Sequence, residues 1–206
     1  MQVGENEVRV ALFGCRGVGK SAIIFRYMDG TFREKYEPSM GEDYRLSSGE
    51  HTTFGLHIID AIYSNTESFF ITEYFLQTSS AIGFVYSITS QQSFEWIPVG
   101  MEKISRIRNS ETPFIKMIIA SKADLEESRK ISLEDGLALA EKYNALYVEA
   151  SAKFNINVER IFATLTNQAI DIDEPPSAVA ILNHDPDEQQ AHCASRKSSN
   201  KKCCIT

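Results

Sequence analysis

The octapeptide GCRGVGKS, Gly14 to Ser21, lies between an apolar run, VRVALF (Val8 to Phe13), and the helical pattern AIIFRYM (Ala22 to Met28). Few folds accept a strand that passes into a helix through such a loop. Successive backbone N–H groups must turn inward, and the helix must carry the chain back to a second parallel strand. Glycines at 14, 17 and 19 permit the turn. Gly14, Gly17, Val18, Gly19, Lys20, Ser21 and Ala22 therefore form a cradle suited to phosphate, with Lys20 reaching the β- and γ-phosphates and the Ser21 hydroxyl set to ligate Mg²⁺. The helix that begins here, with Ile23, Ile24 and Tyr27 facing inward, directs its positive N-terminal end at the same anion.

Further β-rich runs recur along the chain: AIGFVYSI (Ala81 to Ile88), FIKMIIA (Phe114 to Ala120) and LYVEA (Leu146 to Ala150). Longer amphipathic segments separate them, a rhythm that implies βαβ units on a mostly parallel sheet. Val158, Ile161, Phe162 and Leu165 form one apolar helical stripe. SLED (Ser132 to Asp135) reads as a capping box that opens a helix burying Leu133, Leu137 and Ala140. In SFEWIPVG, Pro98 and Gly100 predict a break near Ile97, with regular helix resuming at Met101. His51 and His57 lie on the hairpin around SSGE (Ser47 to Glu50) and read as strand residues.

A length of 206 residues suits one α/β domain, residues 1–171, followed by a tail. Residues 172–206 combine paired prolines, acidic and then basic charges, and no sustained apolar period, which reads as disorder. Within that tail AVAIL (Ala178 to Leu182) reads as solvated linker, with a short docking segment as the alternative. Four cysteines, three of them at 193, 203 and 204, make no disulfide framework. Together with an acidic start that lacks an apolar leader, they point to a reducing compartment. No stretch approaches the roughly 20 apolar residues of a membrane span, so membrane contact has to come by attachment. A formal charge of −7 argues against nucleic acid as a partner. His192 beside Cys193 lacks a second ligand pair at metal spacing, so a zinc site is rejected.

Two later stretches narrow the ligand. SKAD (Ser121 to Asp124) and SAK (Ser151 to Lys153) each follow an apolar strand. In order and spacing with the phosphate loop, they resemble the base-reading motifs of the Ras family of small GTPases, and the resemblance covers residues 8 to 171. It implies a P-loop NTPase G domain: an α/β fold with a mostly parallel six-stranded sheet and helices on both faces. By that likeness Asp124 accepts hydrogen bonds from the guanine amino and imino groups, Lys122 covers the base plane, and the Ala152 N–H meets the guanine oxygen, with Ser151 and Lys153 completing the loop. Ser121 stands where the family has Asn or Thr, which implies weaker affinity with specificity retained. Phe32 sits where the family stacks an aromatic edge on the base. YEPS (Tyr36 to Ser39) resembles the family's Y-D-P-T, in which Ser39 gives Mg²⁺ a second hydroxyl and the γ-phosphate an N–H. Met40, Gly41, Glu42, Asp43 and Tyr44 correspond to the effector surface. Gly41 replaces an acidic residue there, so the usual effectors are not expected.

The second switch departs further. LHIIDAIYSNTE (Leu56 to Glu67) retains Asp60, which reaches Mg²⁺ through water, but has Tyr63 in place of the γ-phosphate-binding glycine and Ser64 in place of the water-orienting glutamine. In the family that it resembles, that glutamine and a partner's arginine carry most of the rate. Arg16 occupies a loop position that the family leaves almost bare. It either excludes a partner's arginine, supplies positive charge itself as a cis arginine, or points into solvent. Lys20, with Arg16 and Ser64, makes up the candidate catalytic set, and slow hydrolysis of GTP is expected. The implied partners are GTP and GDP, an effector, an exchange factor and a GTPase-activating protein, acting on a monomer. The alternative is a GTP-locked interaction module that does not cycle.

CCIT (Cys203 to Thr206) has the C-a-a-X form, with Cys203 as lipid acceptor and a final threonine that suggests farnesyl; two geranylgeranyl groups on the paired cysteines are the alternative. One lipid chain binds marginally, so a second signal is expected from Arg196, Lys197, Lys201 and Lys202 at an anionic membrane surface, or from palmitoylation of Cys193. This places the protein on the cytoplasmic face of the plasma membrane or an endomembrane.

Overall fold

Along β1 (Glu7–Gly14) the side chains alternate between two apolar layers: Val10 and Leu12 enter one buried cluster, Ala11 and Phe13 the other. A strand buried on both faces belongs in the middle of a sheet covered by helices on both sides. The computed structural model describes residues 7–34, 43–46, 55–62, 69–108, 114–170 and 181–182. Its elements follow as α1 (Lys20–Asp29), β2 (Asp43–Leu46), β3 (Gly55–Ile62), α2 (Phe69–Thr78), β4 (Ala81–Ser87) and α3 (Gln91–Ile107). Then come β5 (Ile115–Ser121), a 3₁₀ turn at Glu126–Ser128, α4 (Leu133–Lys142), β6 (Leu146–Ala150), α5 (Val158–Ile170) and β7 (Ile181–Leu182). The strand order is β2-β3-β1-β4-β5-β6-β7, and among the described strands only β2 with β3 pairs antiparallel.

One layer packs Ile23 and Ile24 of α1 and Val158, Ile161, Phe162 and Leu165 of α5 against the sheet. Tyr27 is half-buried and stacks on Phe162 with ring centroids 4.2 Å apart, tying the two helices together. The opposite layer holds Leu76, Trp96, Ile97, Met101, Ile104 and Ala140 from α2, α3 and α4. No helix among the described residues is long and apolar enough to cross a membrane.

Three features differ from the sequence expectation. First, α3 runs unbroken through Pro98. The ring removes one intrahelical N–H, but the buried face of Ser93, Trp96, Ile97, Gly100, Met101 and Ile104 is continuous across it and packs on β4 and β1. Gly100 belongs to that face because the Trp96 indole lies over it; a Cβ there would meet the ring at 2.4 Å. Second, α4 begins as read, with Ser132 Oγ accepting from the Asp135 N–H at 3.0 Å, yet Leu133 is 40% exposed and Leu137 only half-buried. Gly136 and Ala140 face inward instead, since the Tyr147 phenol fills the space a Cβ at Gly136 would need. Third, the mostly parallel six-stranded sheet is present as expected, and among the described residues the two-residue strand Ile181–Leu182 adds to it at the edge of β6. An edge strand offers unpaired N–H and C=O groups, and an extended apolar segment of the same chain is suited to take them.

These contrasts set two substitutions apart. Phe162→Ala removes a fully buried, stacked ring and is expected to cost about 3–5 kcal/mol in a urea titration. Leu133→Ala is expected to change stability by less than about 0.5 kcal/mol, as surface substitutions do. A cost for Leu133 similar to that for Phe162 contradicts the packing described here.

Candidate nucleotide-binding site

Where β1 ends, its chain runs hard against β4: a Cβ on Gly14 would lie 2.3 Å from the Val85 carbonyl oxygen, so only glycine fits. Gly17 (φ 74°) and Gly19 (φ 105°) then adopt the left-handed backbone that reverses the loop. Gly19 is the N-cap of α1 and supplies no side-chain cap, and the first turn carries no acidic residue. The helix therefore begins with no carboxylate of its own first turn competing for its backbone donors, which suits an anion site.

Lys20 is buried at the head of that helix. Its ammonium donates to the Cys15 carbonyl at 3.1 Å and lies 3.8 Å from Asp60 Oδ1 of β3. Burial lowers its pKa; Asp60 opposes the shift, while the nearby Arg16 charge adds to it. A phosphate entering the loop supplies the counter-charge that burial denies. Ser21 Oγ donates to Asp60 Oδ2, which brings a hydroxyl and a carboxylate oxygen together beside Lys20. Hard oxygen donors of this kind, completed by phosphates and water, suit Mg²⁺. Arg16 itself is exposed.

The base-reading stretches meet the loop from β5 and β6. Ser121 Oγ lies against the Val18 carbonyl and 2.8 Å from the Tyr86 carbonyl, and its single proton serves one of them at a time. Lys122, at φ 60°, donates from Nζ to the Gly17 carbonyl at 2.8 Å. Burial lowers the pKa of this ammonium also, with Asp124 acting against the shift. Asp124 Oδ1 accepts from Ser151 Oγ at 2.6 Å, and the Ala123 N–H donates to the Ala150 carbonyl at 3.1 Å, so the two loops are joined by side chain and backbone. Between these groups opens a cavity of about 370 Å³ lined by Gly19, Ala22, Phe32, Lys122, Asp124, Ala152 and Lys153, among others. Ser121 also lines it, whereas Ser151 acts from behind, through Asp124.

Other expected residues fall elsewhere. Tyr36, Ser39, Met40, Gly41, Glu42, Tyr63, Ser64, Cys193 and Cys203 lie outside the described residues, as does His51. Asp43 opens β2, and Tyr44 sits in β2 with its ring edge-on to Phe25 at 5.9 Å; this is the sheet edge opposite the Asp124 cavity. His57 is a buried residue of β3.

Several contributors carry no sequence motif. Glu34 and Leu125 line the cavity. Arg26 of α1 donates from Nε to the Ala152 carbonyl at 2.7 Å, from Nη2 to the Lys153 carbonyl at 3.0 Å and from Nη1 to the Gly30 carbonyl at 2.6 Å. One guanidinium thus clamps the base loop to the end of the phosphate-binding helix. Arg129 forks onto Glu149 of β6, with Nη1 to Oε1 at 2.9 Å and Nη2 to Oε2 at 2.8 Å, and also bonds Glu126. These carboxylates raise its pKa, the Glu149 hydrogen bonds most of all. Behind Glu149, Tyr147 donates its phenol at 3.1 Å and lies 3.1 Å from the Tyr86 hydroxyl, whose pKa burial pushes up to about 12. No local signal marks Arg26, since its partners on the base loop, Ala152 and Lys153, lie more than a hundred residues away in sequence.

A phosphate cradle at a strand end, opening into a base-sized cavity lined by the loops that follow β5 and β6, defines a P-loop nucleotide-binding protein. The sequence fits the Ras family profile over residues 9–171. It is 36% identical over 165 residues to the GTP-binding protein Di-Ras2 of Pongo abelii and to that of Mus musculus, covering 79% of this chain and 81% of each relative. It is 30% identical over 202 residues to the Ras-related protein O-RAL of Diplobatis ommata, covering 96% of this chain and 92% of that one. The chain belongs to the Ras family.

The Arg129–Glu149 fork is expected to hold the loop that follows β5 against β6. Glu149→Ala leaves a partly buried guanidinium without its main partner, and should lower unfolding stability by about 1.5–3 kcal/mol in a denaturant titration.

Proposed function

We propose that this protein is a guanine-nucleotide-binding signalling switch whose hydrolytic arm is weakened, so that the triphosphate state persists. The observation that carries the reading is the cavity of about 370 Å³ joining the phosphate loop to Asp124. In it, the Asp124 carboxylate accepts two N–H groups from guanine. Adenine offers no such pair and would leave a buried acceptor unmatched. Ser151 fixes the rotation of that carboxylate through its 2.6 Å bond. The Lys122 stem covers the base while its ammonium holds the Gly17 carbonyl, and the Ala152 N–H, on the loop clamped by Arg26, faces the guanine oxygen.

At the other end Lys20 and the α1 N-terminus bind the phosphates. Ser21 and, through water, Asp60 would hold Mg²⁺, which neutralises charge spread between the β- and γ-phosphates. Tyr63 and Ser64 lack the backbone freedom and the carboxamide that orient water at these positions in the family. Arg16, exposed beside the phosphate loop, obstructs an arginine arriving from an activating partner. Turnover is therefore slow, and reset depends on nucleotide exchange or an activator of another kind.

A single-turnover assay with purified protein tests this. The expected result is slow GTP hydrolysis that does not fall in Arg16→Gly, with fluorescent GDP displaced by GDP and not by ADP. A family-like rate in the wild type that drops in Arg16→Gly would instead make Arg16 a cis catalytic arginine.

We further propose that Cys203 carries a prenyl group and that the basic run from Arg196 to Lys202 supplies the second membrane contact. Cys203→Ser is expected to move the protein from the membrane pellet to the soluble fraction in cell fractionation.

A further inference from the structure

The outer edge of β6 is occupied by the chain itself. Ile181 and Leu182 pair in parallel with Tyr147 and Val148, closing the sheet on that side. They end the AVAIL run, a β-prone segment in a tail otherwise rich in charge and proline. The connection has the form of a crossover unit, two parallel strands joined through a helix: β6, then α5, then ten residues, then β7. Tethering by so short a link gives this segment a large advantage over any free peptide for the same edge.

What β6 leads into makes the pairing consequential. Its last residue, Ala150, accepts the Ala123 N–H of the Asp124 loop, and the next residues are Ser151 and Ala152 of the cavity. A strand bonded on one side only opens locally more readily than one bonded on both. We propose that the β6 edge is a docking site for the chain's own Ile181–Leu182 strand, and that its occupation braces the guanine-reading loop and slows nucleotide release. The second half of this statement rests on reading the cavity as a guanine-nucleotide site; the docking itself does not.

The test uses the full chain carrying Ile181→Pro and Leu182→Pro together. Proline cannot donate to a ladder, and alternate residues of a strand face the neighbour, so both positions are changed. Both lie outside the span that fits the family profile. Amide hydrogen exchange across Leu146–Ala150 reads docking, and release of fluorescent GDP reads the brace. The double proline is expected to speed exchange in β6 and to raise the GDP release rate about fivefold, the factor for one net backbone hydrogen bond. Ile181→Val with Leu182→Val should leave both unchanged. Unaltered β6 exchange in the double proline overturns the docking. Faster exchange with unaltered GDP release overturns the brace. Failure of the wild type to bind GDP overturns the cavity reading and the brace with it, and the docking is then decided by the exchange measurement, which needs no nucleotide.

Discussion

A lysine buried at the carboxyl end of a parallel sheet is the feature around which the rest is arranged. Lys20 cannot shed its desolvation cost by reaching water, so the fold brings Asp60 from β3 and the Cys15 carbonyl to it and leaves the remaining demand for an anion. Meeting that demand with phosphate requires the loop backbone to turn inward. The turn in turn requires Gly14 to sit against the Val85 carbonyl and Gly17 and Gly19 to take left-handed conformations. Lys122 and Ser121 bond the carbonyls of Gly17 and Val18, which makes the phosphate cradle and the base-reading loop one mechanical unit.

Under the proposed function, that unit lets binding and catalysis part company in one molecule. The proposed recognition rests on strand ends: Asp124 follows β5, Ser151 follows β6, and both rest on the same sheet as the phosphate loop. Hydrolysis in the family depends on side chains beyond the end of β3, where this chain has Tyr63 and Ser64, and on open space at the loop position held by Arg16. Changes there leave the buried supports of the cavity untouched, so a protein can retain a nucleotide while losing the means to cleave it quickly.

The legible parts of the fold are those set by local backbone chemistry. The glycine spacing of the phosphate loop, the apolar runs of β1, β4, β5 and β6, and the stripe on α5 can be read directly, because each is decided by a turn requirement or by burial of one face. Leu133 misled because the capping box fixes where α4 begins but not which side meets the sheet; Tyr147, from a strand later in the chain, decides that. Pro98 is misleading in the sequence because its lost hydrogen bond is local, whereas the continuous buried face on either side, which holds α3 together, is tertiary. The clamp of Arg26 on Ala152 and Lys153 has no local trace, since one arginine on a helix looks like another until the partner loop is in place.

The amino-acid sequence by itself determined the strand-loop-helix cradle, the candidate base-reading residues and the family, since these depend on residue types at fixed short spacings. Tertiary structure alone decided that Ser121 bonds backward to the phosphate loop, that Arg129 and Arg26 hold the two base loops, and that Ile181–Leu182 completes the sheet. These are contacts between segments distant along the chain, and their free energy exists only once the sheet has brought the segments together.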